Sequence, residues 1–95
     1  MSETIAAAVA ALGKKLAGGF DGVAMFVIPG EGSILIDGDG VRAGEGEAGV
    51  TLTASAETFR GILSGDINPT TAFMTGKLSV EGDMGMAIRL GSMLG

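Results

Sequence analysis

Residues 23–53 read VAMFVIPGEGSILIDGDGVRAGEGEAGVTLT, and the texture of this stretch decides the fold. Val23–Ile28 is an unbroken apolar run with large side chains of both parities, as a strand in the middle of a sheet requires. Pro29-Gly30-Glu31-Gly32 is a turn cluster. Ser33–Asp37 forms a second run, Gly38-Asp39-Gly40 turns the chain again, and Val41-Arg42-Ala43 begins a third. Val50-Thr51-Leu52-Thr53 then alternates apolar and polar, the pattern of a half-buried strand. Connections this short predict an antiparallel meander.

Outward from this block the period changes. Upstream, Ile5, Val9, Leu12 and Leu16 recur at helical spacing, with alanines on the flanks and Lys14 opposite. Ser2 is placed to cap this helix, Glu3 lies in its first turn, and Gly18-Gly19 stops it. Downstream, Ser55 caps a second helix through Ser64, with Phe59, Ile62 and Leu63 on one face and Gly65 at its end. Asn68 precedes Pro69 at the first position of a short helix that ends at Thr75-Gly76. Lys77–Glu81 alternates as a fifth strand, and Gly82-Asp83 leads into a final helix from Met84 to Met93. No linker or repeat divides the chain, so residues 1–95 are expected to form a single domain.

The final helix is too apolar for a helix that merely rests on a sheet. With Met84 at the origin and about 100° per residue, only Gly85, Arg89 and Ser92 fall in a wedge from about 80° to about 140°. The other arc, roughly 220° wide, is apolar, against the stripe of a little over 100° that one sheet contact needs. The excess must meet a second layer of protein, a partner chain or a bound apolar molecule.

Composition removes most alternatives. The 95 residues include no Cys, His, Trp or Tyr, which excludes disulfides, thiolate or imidazole metal sites and Ser-His-Asp chemistry. No metal, cofactor or catalytic residue is therefore expected. The net charge of −5 and the poverty of aromatic rings argue against nucleic acid. They also oppose attraction to anionic membranes. Ile5–Leu12 is apolar, but Glu3 before it and Lys14-Lys15 after it are the reverse of a secretory signal. Ser92-Met93-Leu94-Gly95 is not a peroxisomal address, so a cytoplasmic location is the expectation.

Several motifs have bland explanations. Gly44-Glu45-Gly46-Glu47-Ala48-Gly49 spells G-x-G-x-x-G, but a strand follows it rather than a helix and its two glutamates would repel phosphate, so a loop or irregular hairpin is expected. Asp37-Gly38-Asp39-Gly40 opens like a calcium loop, yet Val41 and Ala48 occupy positions that need ligands, so a hairpin turn is expected. The acids Asp21, Glu31, Asp37, Asp39, Asp66 and Asp83 scatter over turns and caps, with no spacing that singles out a catalytic pair. Lys77 and Arg89 are read as solubilising charges in preference to head-group ligands. Met74, Met84, Met86 and Met93 crowd the last 22 residues, where flexible thioethers serve either an ordinary core or an adaptable apolar cavity.

Three segments taken together carry a resemblance. They are Phe59-Arg60-Gly61-Ile62-Leu63-Ser64-Gly65, then Asn68-Pro69-Thr70-Thr71-Ala72-Phe73-Met74-Thr75-Gly76-Lys77-Leu78, then Val80-Glu81-Gly82-Asp83-Met84-Gly85-Met86-Ala87-Ile88-Arg89-Leu90. Their order resembles the sterol carrier protein type-2 domain family: a helix ending in Gly, N-P, A-F-M-x-G-K-L, then a strand to G-[ND]-M-x-x-A. The match is dense over residues 50–94. The resemblance implies an α+β domain with a five-stranded, mixed but largely antiparallel sheet, helices packed on one face and an apolar tunnel between the layers. It also implies carriage of sterols, acyl chains or isoprenoid quinones without chemistry. The missing peroxisomal address points to a short, bacterial-type stand-alone member.

The shared segments carry Phe73, Met74 and Met84 over as cavity residues. The helical wheel adds Met86, Ile88, Leu90 and Met93, and the neighbouring apolar positions add Phe59, Ile62, Leu63 and Leu78. Gly65, Gly76, Gly82 and Gly91 are candidate hinges for a lid. The expected partner is one apolar ligand, with transient membrane contact during transfer. A homodimer through the C-terminal helix is the competing way to cover its apolar arc. The alternative function is a scaffold that presents a lipid intermediate, such as a quinone precursor, to a biosynthetic complex. A carboxylate-based enzyme sheltering an apolar substrate is the third reading.

Overall fold

A computed structural model describes residues 3–94. The elements run α1 (Glu3–Lys15), β1 (Ala24–Ile28), β2 (Gly32–Asp37), β3 (Gly40–Ala43), β4 (Val50–Ala54), α2 (Ala56–Ser64), α3 (Pro69–Met74), β5 (Leu78–Gly82) and α4 (Met84–Leu94). The expected cap Ser2 lies outside the described residues. Each predicted run became an element with ends displaced by a residue or two, because the turn residues that bound them are local signals.

The five strands form one mixed sheet in the order β3-β2-β1-β4-β5. β1 is central, as its apolar texture requires. Ala24, Phe26 and Ile28 point to the buried face, whereas Met25 and Val27 are only half-buried on the other. β1–β2 and β2–β3 are antiparallel hairpins, and the second closes through Gly38-Asp39 with Asp37 opposite Gly40. The Asp37 carboxylate accepts two bonds from Arg42, of 3.1 and 2.7 Å, and one from the Asp39 N–H. The calcium-like motif is thus a hairpin whose carboxylate is spent on its own turn.

The simple meander fails at the fourth strand. β4 lies parallel to β1, Ala24 facing Val50 and Phe26 facing Leu52. The Gly44–Gly49 connection, expected to be a loop or irregular hairpin, leaves the edge strand β3 and reaches the far side of β1. It passes close to Leu35, for a Cβ on Gly46 would sit 3.3 Å from Leu35 Cδ1. Periodicity reports which face a strand buries and is silent about its neighbour, so the meander was the shorter-range choice. β5 returns antiparallel to β4.

The helices cover the face that carries Ala24, Phe26, Ile28, Ile34, Ile36, Val50, Leu52, Ala54 and Leu78, all buried. α1 buries Ile5, Ala8 and Leu12 there, and Leu16 and Phe20 extend the core through the loop that follows. α2 begins at Ser55, whose hydroxyl accepts from the Thr58 N–H, and ends at Gly65 in the left-handed region (φ 88°). Its Phe59 ring meets Phe26 with centroids 4.5 Å apart, a tilted pair of the kind that adds about 0.5–1.5 kcal/mol beyond burial. Among the described residues no helix is long and apolar enough to cross a membrane.

Candidate functional site

α3 is held by its cap more than by depth of burial, whereas α4 has both a cap and a buried face. Asn68 Oδ1 accepts from the Thr70 and Thr71 N–H groups at 2.8 and 3.2 Å, and Pro69 occupies the first turn where no donor is missed. Of α3 itself only Ala72 is buried. Asp83 Oδ1 accepts from the Met86 N–H at 3.1 Å and so caps α4. Gly82, just before it, has φ 109° and lies so close to the Gly49 carbonyl that no Cβ fits. Those two constraints aim α4 back across β4 and β5.

The wide apolar arc of α4 divides into distinct sectors. Ala87, Leu90 and Leu94 enter the core. Met86 packs at the edge of the core, its thioether lying against Gly22 and Gly49 in space that a side chain on either would fill. Met84, Ile88 and Gly91 face a hollow between α4, α3 and the sheet, and Ile88 remains 67% exposed and Met84 45% exposed. The final helix therefore owns apolar circumference that the described residues leave uncovered.

That hollow has a volume of about 470 Å³, in the range of small-molecule sites. Its floor is Phe26, Leu52, Leu78 and Val80 from the sheet, its inner wall Ile62, Ala87 and Leu94, and its outer wall Phe73, Met84 and Ile88. Asn68, Pro69, Thr70, Gly91 and Ser92 complete one end. It is an open cleft along α3 and α4, since the outer-wall residues are exposed. The expected tunnel would require that side to close.

Of the residues named from sequence, Ile62, Phe73, Leu78, Met84 and Ile88 line the cleft. The others stand elsewhere. Leu90 is fully buried in the core, Met86 is on the glycines, and Met74, 78% exposed, and Met93 point to solvent. Phe59 and Leu63 border a second hollow of about 490 Å³ on the outer surface between α1 and α2, rimmed by Glu3 and Arg60. Sequence reasoning missed Phe26, Leu52 and Val80 on the floor. Their strand parity marked them as inward-facing, but nothing local distinguishes an inward residue beneath a helix from one beneath a cavity.

The charged candidates stand outside the cleft lining. Arg89 Nη2 donates to the Asp21 carbonyl at 3.3 Å, and Lys77 is exposed outside the lining. Asp66 accepts from the Ser64 hydroxyl. Gly91, named as a hinge, lies within α4 and packs near Pro69 instead of ending a helix.

Comparison with known proteins places this geometry. Hydroxysteroid dehydrogenase-like protein 2 of Xenopus laevis is 33% identical over 103 residues, covering the whole chain but only 25% of that protein's length. A solution structure of sterol carrier protein-2 from Aedes aegypti, in complex with the C16 fatty acid palmitate, superposes with TM-score 0.78 at 19% identity, covering 99% of this chain and 96% of that one. The ubiquinone synthesis protein UbiJ-SCP2 has the same fold, at TM-score 0.66 and 18% identity, over 99% of this chain and 93% of that one. The sequence itself matches the SCP-2 sterol transfer family over residues 3–95. An α+β sheet-and-helix layer, an apolar cleft against its last helix and that match make this chain a member of the SCP-2 sterol transfer family.

Proposed function

We propose that this chain is a non-catalytic carrier that takes up one lipid molecule in the cleft between α3, α4 and the sheet. The observation that carries this reading is the apolar cleft beside a helix whose Met84 and Ile88 remain largely exposed. Each methylene moved from water into such a cleft contributes about 0.8 kcal/mol, so a long acyl or isoprenoid chain needs no reactive group to bind. Membership of a sterol transfer family supports the reading, as does the palmitate held by the Aedes aegypti protein of the same fold. α3, bounded by Asn68 and Gly76 and buried only through Ala72, is the element whose displacement would admit and release cargo.

Native mass spectrometry of the untreated protein tests this. The expected result is a monomer carrying one extractable apolar molecule, or one that gains a single equivalent of a sterol, acyl chain or quinone when these are supplied. Failure to take up any of the three ends the carrier reading, and a dimer that binds nothing assigns the uncovered face of α4 to a second copy. The scaffold reading draws on the exposed Phe73, Met74, Met84, Ile88 and Met93 and on the fold shared with UbiJ-SCP2. It predicts co-purification of biosynthetic enzymes with a monomer that holds no lipid alone.

A further inference from the structure

The lining of the cleft is apolar except at one end, and among the described residues it contains no Lys, Arg, Asp or Glu. The polar end consists of Asn68, Thr70 and Ser92. They converge because α4 crosses α3 at this point: a Cβ on Gly91 would lie 3.8 Å from Pro69 Cβ. Ser92 follows Gly91, and Asn68 and Thr70 flank Pro69. Asn68 spends Oδ1 on the α3 backbone, which leaves its Nδ2 donors. The Ser92 hydroxyl donates to the Ile88 carbonyl at 3.0 Å, which leaves its oxygen lone pairs as acceptors. The end thus offers donors and acceptors together, with no formal charge. That is the complement of a hydroxyl or a neutral carbonyl.

An ionised head group fares differently. A carboxylate leaving water is stabilised by a cation within about 4–6 Å, and this lining supplies none. Arg89 is turned to Asp21, and the whole molecule carries a net charge of −5. We infer that the cleft selects uncharged lipids, a long-chain alcohol or neutral ester whose oxygen meets Asn68, Thr70 and Ser92, over ionised fatty acids and lipid phosphates. This rests on the cleft being the lipid site. A fatty acid enters in its protonated form, so its affinity rises as pH falls, while that of an alcohol does not.

Titration of the intact chain with oleyl alcohol, oleate and 1-octadecene at about pH 8 and about pH 5.5 tests the inference. At the higher pH oleyl alcohol is expected to bind at least about tenfold more tightly than oleate, and the gap is expected to narrow at the lower pH. Equal affinity of the two at the higher pH, or a gap that pH leaves unchanged, overturns it. Absence of binding by all three probes overturns the inference, and if sterol and quinone uptake is absent as well it ends the carrier reading. Thr70→Val and Ser92→Ala are each expected to weaken oleyl alcohol by about 2- to 10-fold and leave 1-octadecene unchanged. Equal losses for both ligands would show that these hydroxyls only support the fold and do not read the head group.

Discussion

Ile88 and Leu90 stand two residues apart on α4 with opposite surroundings: Leu90 is fully buried and Ile88 largely exposed. Leu90→Ala removes packed atoms from the core and is expected to cost about 2–5 kcal/mol, read as a lowered urea midpoint. Ile88→Ser removes nothing from the core. Its stability is expected to stay within about 0.5 kcal/mol of the parent while lipid uptake weakens, and a loss of both together would place Ile88 in the fold instead of the cleft. The Asp37–Arg42 pair gives a pH signature. The Arg42 guanidinium, followed by the Asp39 N–H, holds the Asp37 carboxyl below the usual aspartate range. A depressed folded-state value contributes stability above that range, lost as pH falls through the lowered value. Asp37→Asn is therefore expected to be less stable than the parent at about pH 6 and to converge with it in urea melts as pH falls through the lowered Asp37 value. At this scale the wheel of α4 was readable for Met84 and Ile88. It was not for Met86, because the space it fills is made by Gly22 and Gly49, remote in the chain and visible only once folded.

Helix ends and strand runs were legible because their signals are local. Ser55, Gly65, Asn68 and Pro69 act within four residues of themselves, and the structure uses each as its chemistry directs. Strand partnership was not legible in the same way. The six residues of the β3–β4 connection suit a hairpin as well as they suit the crossing they make, and only the family resemblance indicated a mixed sheet. Asn68→Ala tests how far α3 depends on its cap. Loss of an N-cap of this type costs about 1 kcal/mol. Since α3 is otherwise pinned mainly by Ala72, the loss is expected to appear as faster amide exchange at Thr70 and Thr71, with β1 and β4 amides unchanged. Uniformly faster exchange across the sheet would mean that α3 is an integral part of the cooperative unit.

For the molecule as a whole, the proposed carrier function ties stability to cargo. A ligand that binds only the folded chain, present at about a hundred times its dissociation constant, adds about 2.7 kcal/mol. For a domain of this size that is a rise in melting temperature of roughly 10–20 °C. Thermal melts with and without oleyl alcohol check it, and an unmoved midpoint at saturating alcohol would show that nothing is held in the folded state. The layers and the inward faces could be foreseen from periodicity. The vacancy between them could not, because an apolar side chain facing a lipid and one facing a leucine obey the same pattern.

The parallel seam between β1 and β4 has a consequence for biosynthesis. The hairpins β1–β2 and β2–β3 join near neighbours, whereas Ala24 meets Val50 only after the intervening chain has been made. While the nascent polypeptide emerges from the ribosome, the inner flank of β1, with its unpaired amides and carbonyls around Phe26, stays bare until the next strand arrives. A pause in translation within that interval would leave a sticky ribbon open to neighbouring nascent chains. Slower emergence of β4 after β1 is accordingly expected to lower soluble yield, which expression from synonymous coding sequences measures.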